Sequence, residues 1–252
     1  MSNPICPVLG ILSGISYVSG LDYYKGINEK TMAALSVGTV MVPNPSIILV
    51  SIDCDQYAHF LMNRLYDSVS DHVLEGVRKL VHAGCEMLVI ASNTGHMAVP
   101  KIEAEFPSLQ VLHIADCCAH VIKSLGLSKV ALIGTKPTME ENYLKDRLAR
   151  HGVQTTVPET QSQRDDIFRI IVEELSYNKF LDSSRAKMVS EIELLRRDHG
   201  VQACILGCTE IELLLAGVTI DGIALIPSAD VHITKIASVL AGKIKMSELL
   251  PP

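Results

Sequence analysis

The feature that most constrains this chain is an alternation. Short, unbroken apolar runs recur along its length, at residues 8–12, 47–52, 87–91, 111–114, 129–133, 204–207 and 223–226. Between several of them lie stretches with apolar residues at helical spacing: residues 73–83, stopped by Gly84; 162–181; and 183–199, stopped by Gly200. Runs this short, without polar alternation, suit parallel strands covered on both faces. Strands alternating with helices predict βαβ units, and so an α/β fold with parallel sheet.

Within the alternation there is an internal echo. Gly10 to Gly14 is a strand running into a glycine turn, and Val130 to Gly134 repeats it. Leu88 to Ser92 is a strand ending in small polar residues, Asn93 and Thr94, and Ala203 to Cys208 is a second such strand, followed by Thr209. The same two features follow in the same order at similar spacing, which predicts two similar halves. At roughly 100–200 residues per domain, 252 residues accommodate both. We expect two Rossmann-like parallel-sheet domains related by pseudo-twofold symmetry: residues 1–112 with 222–252, and residues 113–221. Ligands of open parallel sheets bind beyond the carboxyl ends of the strands. The expected active site therefore lies in the cleft between the halves, with Ser92 and Cys208 on opposite sides.

Charge and composition narrow the function. Lys plus Arg is 22, Asp plus Glu is 28 and the formal net charge is -6, without a basic run. Such a chain is poorly suited to wrapping nucleic acid or binding an anionic membrane. With Trp 0 and Phe 4 it also has few platforms for base stacking. No apolar run approaches the ~18 residues of a membrane span, and the N-terminus lacks the basic start of a signal peptide. Seven cysteines cannot all pair internally, and they show neither CxxC nor zinc spacing. We expect a reduced, cytoplasmic protein that binds neither nucleic acid nor membrane. Cys6, Cys85 and Cys204 read as structural thiols.

Cys208 stands apart. Gly207 lets backbone approach a ligand, and the amides after Cys208 can receive an anion or favour a thiolate. Asn93 and Thr94 carry amide and hydroxyl groups suited to an α-carboxylate. On residues alone, the segment from Ser92 to His96 reads equally as a capped strand-to-helix turn. There is no Gly-x-Gly-x-x-Gly and no Walker loop.

Taken together, Gly207-Cys208-Thr209-Glu210, Ser92-Asn93-Thr94-Gly95-His96, the opening Gly10 to Ser16 with Tyr23-Tyr24 and Ile27-Asn28, His113 to Asp116, Ala131 to Glu140, and Val172 to Leu175 resemble the aspartate/glutamate racemase family, which works without pyridoxal phosphate. The similarity extends over essentially the whole chain. It is greatest to the L-aspartate/glutamate-specific branch, with a serine at position 92 where most members carry their first catalytic cysteine.

The resemblance implies a cofactor-independent amino-acid racemase, without metal, acting on a small amino-acid or carboxylate substrate as a homodimer. It implies that Cys208 abstracts the α-proton of an L-amino acid, with Ser92 a weak acid/base on the opposite face. Substrate contacts carry over to Ser16, Asn93, Thr94, Thr138 and Thr209, with Arg164 a candidate for the substrate side chain. His232 and His96 are supporting residues, His232 by orienting Cys208. A serine alkoxide is far less accessible than a thiolate. Asp166 stands where relatives that act on acidic substrates commonly place a lysine, and it would repel a second carboxylate. Two alternatives stay open: a one-cysteine relative that decarboxylates or isomerises a small diacid, and a carboxylate-binding protein without turnover.

Overall fold

The computed structural model describes residues 7–35 and 44–251; Cys6 lies outside them. The described chain has an α/β fold and divides into two compact units. One comprises the chain up to Ile114 together with His232–Leu250, and the other comprises Ala115–Val231.

The first unit holds a four-stranded parallel sheet of β1 (Leu9–Ser13), β2 (Ile47–Ser51), β3 (Met87–Ile90) and β4 (Gln110–Val111), in the order β2-β1-β3-β4. The second holds β5 (Lys129–Gly134), β6 (Gln154–Thr156), β7 (Ala203–Gly207) and β8 (Ala224–Pro227), in the order β6-β5-β7-β8. The two orders are the same, so the echo in the sequence is a repeat of topology. β1 corresponds to β5 and β3 to β7, and these are the central strands, buried along their length apart from Lys129 at the start of β5. That is why they are continuous apolar runs. The edge strand β2 is only half buried.

Helices separate the strands. The first unit has α1 (Tyr17–Leu35), α2 (Cys54–Met62), α3 (Tyr66–His82) and α4 (Val99–Glu105), and α5 (Ile114–Ser124) begins at its boundary with the second. The second unit continues with α6 (Lys136–Glu140), α7 (Tyr143–Arg150), α8 (Gln161–Glu173), α9 (Asp182–His199) and α10 (Thr209–Leu214). α11 (Ser228–Leu240) carries the chain back to the first unit. Among the described residues, no helix is long and apolar enough to cross a membrane.

Three expectations need adjusting. α3 begins at Tyr66, well before residue 73, because its buried face continues through Val69 and Ser70, and the polar residues around them hid the period. The stretch 162–181 is not one helix. α8 ends at Glu173, and a single 3-10 turn, Leu175–Tyr177, closes on Asn178, whose φ of 57° is left-handed. The strand at 111–114 shortens to Gln110–Val111, and Ile114 opens α5 instead. α9, by contrast, stops at Gly200, whose φ of 64° makes it the expected left-handed cap.

Each unit has its own core. In the first, Leu88 and Ile90 of β3 pack with Val73, Val77 and Leu80 of α3 and Ile102 of α4. In the second, Ala131, Ile133, Cys204 and Leu206 pack with Ile167 and Ile170 of α8 and Met188 and Ile192 of α9. Each such aliphatic side chain contributes about 1.5–3 kcal/mol on burial. Cys85 and Cys204 are buried unpaired thiols within these cores, as expected.

Candidate functional site

In the first unit, the carboxyl ends of adjacent strands β1 and β3 carry the polar residues singled out above. Gly14 follows β1 with φ 98°, and a Cβ there would sit 2.2 Å from the Ile52 carbonyl oxygen. Only glycine fits this turn. Ser16 then opens α1, its Oγ accepting the Ser19 amide at 3.4 Å. Ser19 Oγ donates to the Ala91 carbonyl at 2.8 Å, tying α1 to the end of β3 immediately before Ser92. Ser19 was not a sequence candidate; a serine one turn after a helix start reads as ordinary polar surface until the fold buries it.

Ser92, Asn93 and Thr94 lead into the 3-10 turn Thr94–Ala98. Ser92 Oγ accepts the Gly95 amide at 3.3 Å, which leaves its own hydrogen to donate. Asn93 and Thr94 are buried. His96 Nδ1 lies 2.7 Å from the Ser92 carbonyl oxygen, so that nitrogen carries the proton, while Nε2 accepts the Ile114 amide at 3.2 Å. His96 therefore holds the backbone of Ser92 and does not address its hydroxyl.

His232 is built the same way. Nε2 donates to the Leu112 carbonyl at 2.9 Å, and Nδ1 accepts from Tyr23 Oη at 2.9 Å. The rings of His96, His113 and His232 form a buried cluster, with centroids 4.5 and 5.7 Å from that of His96. Burial first, then the neighbouring His96, pushes the His232 pKa down to about 3. The ring is neutral, and its hydrogen bonds go to Leu112 and Tyr23, all within the first unit. These bonds orient the segment that follows β4.

In the second unit, β5 and β7 end side by side, with Gly134 opposite Gly207 in register. A Cβ on either glycine would come within 2.9 Å of Thr138 Cγ2. Their bareness lets the fully buried Thr138 settle over both strand ends. Thr138 Oγ1 hydrogen-bonds Thr135 Oγ1 at 3.0 Å and Tyr143 Oη at 3.2 Å.

Cys208 is the N-cap of α10, in extended conformation with φ -156°. Its Sγ donates to Glu210 Oε2 at 2.8 Å, and Thr209 Oγ1 donates to the same oxygen at 2.7 Å. Burial, then the Glu210 carboxylate, pushes the thiol pKa well above its ordinary value, against the opposing pull of the Glu210 and Ile211 amides. The amides alone would favour a thiolate; desolvation and a facing carboxylate outweigh them, so the resting sulfur is protonated. Two residues on, Glu212 Oε1 accepts the Ala229 amide at 2.8 Å. Desolvation raises the Glu212 pKa to about 8.

Arg164 lies in the first turns of α8. Its guanidinium donates to the carbonyls of Pro158 and Glu159, at 2.6 and 2.7 Å, to Gln161 at 3.0 Å and to Glu140 at 3.3 Å. The arginine buttresses the loop ahead of α8. Asp166 pairs with Lys187 of α9 at 3.3 Å, and the neighbouring Asp165 pairs with Lys136 at 2.5 Å. Among the described residues, no group of His, Cys, Asp and Glu is arranged to hold a metal ion.

Known proteins share this architecture. The family model described as Asp/Glu/Hydantoin racemase matches residues 12–236. A glutamate racemase of Corynebacterium glutamicum is 24% identical over 230 residues, covering 84% of this chain and 77% of that protein. A solved structure from Yersinia pestis, assigned to the Asp/Glu racemases on resemblance, superposes with a TM-score of 0.80 at 32% identity, over 93% of this chain and 99% of its own. An aspartate racemase homologue from Pyrococcus horikoshii superposes with a TM-score of 0.74 at 26% identity, over the same shares.

Proposed function

The chain belongs to the Asp/Glu/hydantoin racemase family, and on that footing we propose that it is a cofactor-independent amino-acid racemase in which Cys208 removes the α-proton of an L-amino acid. The observation that carries this reading is Cys208 itself: a half-buried thiol at the end of β7, capping the start of α10 and followed by the Thr209 hydroxyl. The α-proton is weakly acidic, so the carbanion needs prearranged donors. Thr138 and Thr209, with Ser16, Asn93 and Thr94, would bind and polarise the substrate carboxylate.

Ser92 is the proposed proton donor to the opposite face of the substrate. Its Oγ already accepts an amide hydrogen bond and keeps its hydrogen to give. As a base it is weak, since a serine hydroxyl holds its proton far more tightly than a thiol does. Forward exchange of L-substrate should exceed exchange of D-substrate. The engagement of Arg164 and the position of Asp166 favour substrates other than those with a second carboxylate, so a panel must include neutral and basic amino acids.

The test is α-deuterium incorporation from heavy water into L- and D-amino acids, followed by nuclear magnetic resonance, for wild type and Cys208→Ala. Exchange in the wild type that disappears in the variant supports the reading. Exchange that survives in Cys208→Ala overturns the base assignment. Loss of carbon dioxide from a malonate, or isomerisation of maleate, in place of exchange would reassign the chemistry to a one-cysteine relative. Ligand stabilisation without any turnover would make the chain a binder.

A further inference from the structure

Glu210 Oε2 receives two hydrogens at once, from the Cys208 thiol at 2.8 Å and from the Thr209 hydroxyl at 2.7 Å. The contact is local and built in. Cys208, as N-cap, turns its side chain back over the first turn of α10, where Glu210 is the second residue. All three residues are partly shielded from solvent. A thiol so placed rests protonated, yet a thiol is a base only after it loses that proton. The nearest acceptor for that proton is the carboxylate already in contact with it. Glu212, two residues on, interacts electrostatically with Glu210, and its raised pKa of about 8 keeps it largely protonated near neutral pH.

We propose that Cys208 and Glu210 form one proton-sharing pair, in which Glu210 takes the thiol proton so that the thiolate can attack the substrate. The inference rests on the racemase reading. The proton moves from Sγ to Oε2, and the S–H electron pair stays on sulfur. The carboxylate becomes a carboxylic acid, and nothing is oxidised or reduced. The thiolate then takes the substrate α-proton, leaving the C–H pair on carbon. Glu210 passes its proton to solvent, and in heavy water the substrate hydrogen now on sulfur is replaced by deuterium through the same carboxylate. The sulfur gives that deuteron to the carbanion, and a deuteron from solvent restores the resting thiol. L-substrate can therefore exchange its α-proton with retention, without help from Ser92. Glu210 acts through Cys208 and is a positioning residue.

The experiment compares wild type, Glu210→Gln and Glu210→Asp in two readouts. One is the pH profile of Cys208 alkylation by iodoacetamide, resolved by peptide mass spectrometry so that the exposed Cys54 does not contribute. The other is deuterium exchange into whichever L-amino acid the wild type turns over. Glu210→Gln removes the charge facing the sulfur, so its alkylation profile should move to lower pH. Exchange should nevertheless fall about 100-fold, the low end of what a positioned proton-transfer group contributes. Glu210→Asp should move both readouts back toward wild type and guards against a folding defect. Alkylation and exchange rising together in Glu210→Gln would make Glu210 a mere suppressor of the thiolate and overturn the proposal. An unshifted alkylation profile would overturn it too. If the wild type exchanges no amino acid, the racemase reading falls and takes the proposal with it; exchange that persists undiminished in Glu210→Gln overturns the pair alone.

Discussion

At the scale of single residues, position 92 decides the balance of the two half-reactions. A hydroxyl that already accepts the Gly95 amide is suited to giving a proton and poorly suited to taking one. Ser92→Cys should therefore raise initial D-substrate exchange by orders of magnitude while changing L-substrate exchange little, each ~1.4 kcal/mol of barrier being tenfold in rate. The check is deuterium incorporation into each enantiomer at early times, before the equilibrium between them is approached. Equal initial rates in the wild type would remove Ser92 from the acid/base role. His96 is no rescue for the serine, since its ring addresses the carbonyl of residue 92 and the amide of residue 114.

At the scale of elements, ion pairs divide into those that hold helices and those that decorate them. Asp116 of α5 is buried, with Arg147 of α7 gripping both its oxygens at 2.8 and 2.7 Å and His151 at 2.8 Å. Removing one partner of a buried pair leaves an uncompensated charge and costs about 3–5 kcal/mol. Asp116→Asn should lower stability by that amount in urea unfolding. Asp71→Asn, which breaks the exposed bridge from α3 to Lys101 at 2.6 Å, should stay within about 1 kcal/mol. Equal losses would mean that Asp116 is not a hinge pin between α5 and α7.

At the scale of the whole molecule, two buried groups give stability opposite slopes in pH. His232, held near a pKa of about 3, stays neutral in the folded chain, whereas the unfolded chain binds its proton below about 6.5. Stability is therefore lost as pH falls from about 6.5 toward 3. Glu212, raised to about 8, keeps its proton in the folded chain where the unfolded chain has lost it, so stability is lost as pH rises from about 4.5 toward 8. The two slopes oppose each other between about 4.5 and 6.5 and leave a shallow plateau there, with a ceiling of about 1.4 kcal/mol per pH unit for each group alone. Glu212 falls short of that ceiling because its side chain is only partly shielded. Urea midpoints from pH 3 to 9 should show the plateau, and Glu212→Gln, which can still accept the Ala229 amide, should flatten the alkaline side alone.

Which features were legible in the sequence follows from the range of the forces that make them. Central strands such as β3 and β7 are buried on both faces, so their apolar character is continuous and plain in the residue order. β6 went unread because Gln154-Thr155-Thr156 is a polar edge of three residues that gains its identity only by pairing with β5. The duplication was readable because each half repeats a glycine turn and a polar strand end, both dictated by local backbone needs. Cys208 and Ser92 could be picked out as residues at strand ends, and Thr138, within α6, only through the resemblance of its segment to a known family. Their protonation could not, because the state of the thiol depends on desolvation and on Glu210 folding back onto it. The amides that a helix start offers pointed the other way. The engagement of Arg164 with Glu140, the tie from Ser19 to Ala91, and the mutual burial of His96, His113 and His232 likewise join residues far apart in the chain. Residue order sets local conformation and the strand pattern, but burial and charge act through space, and so tertiary structure alone decides which group holds a proton.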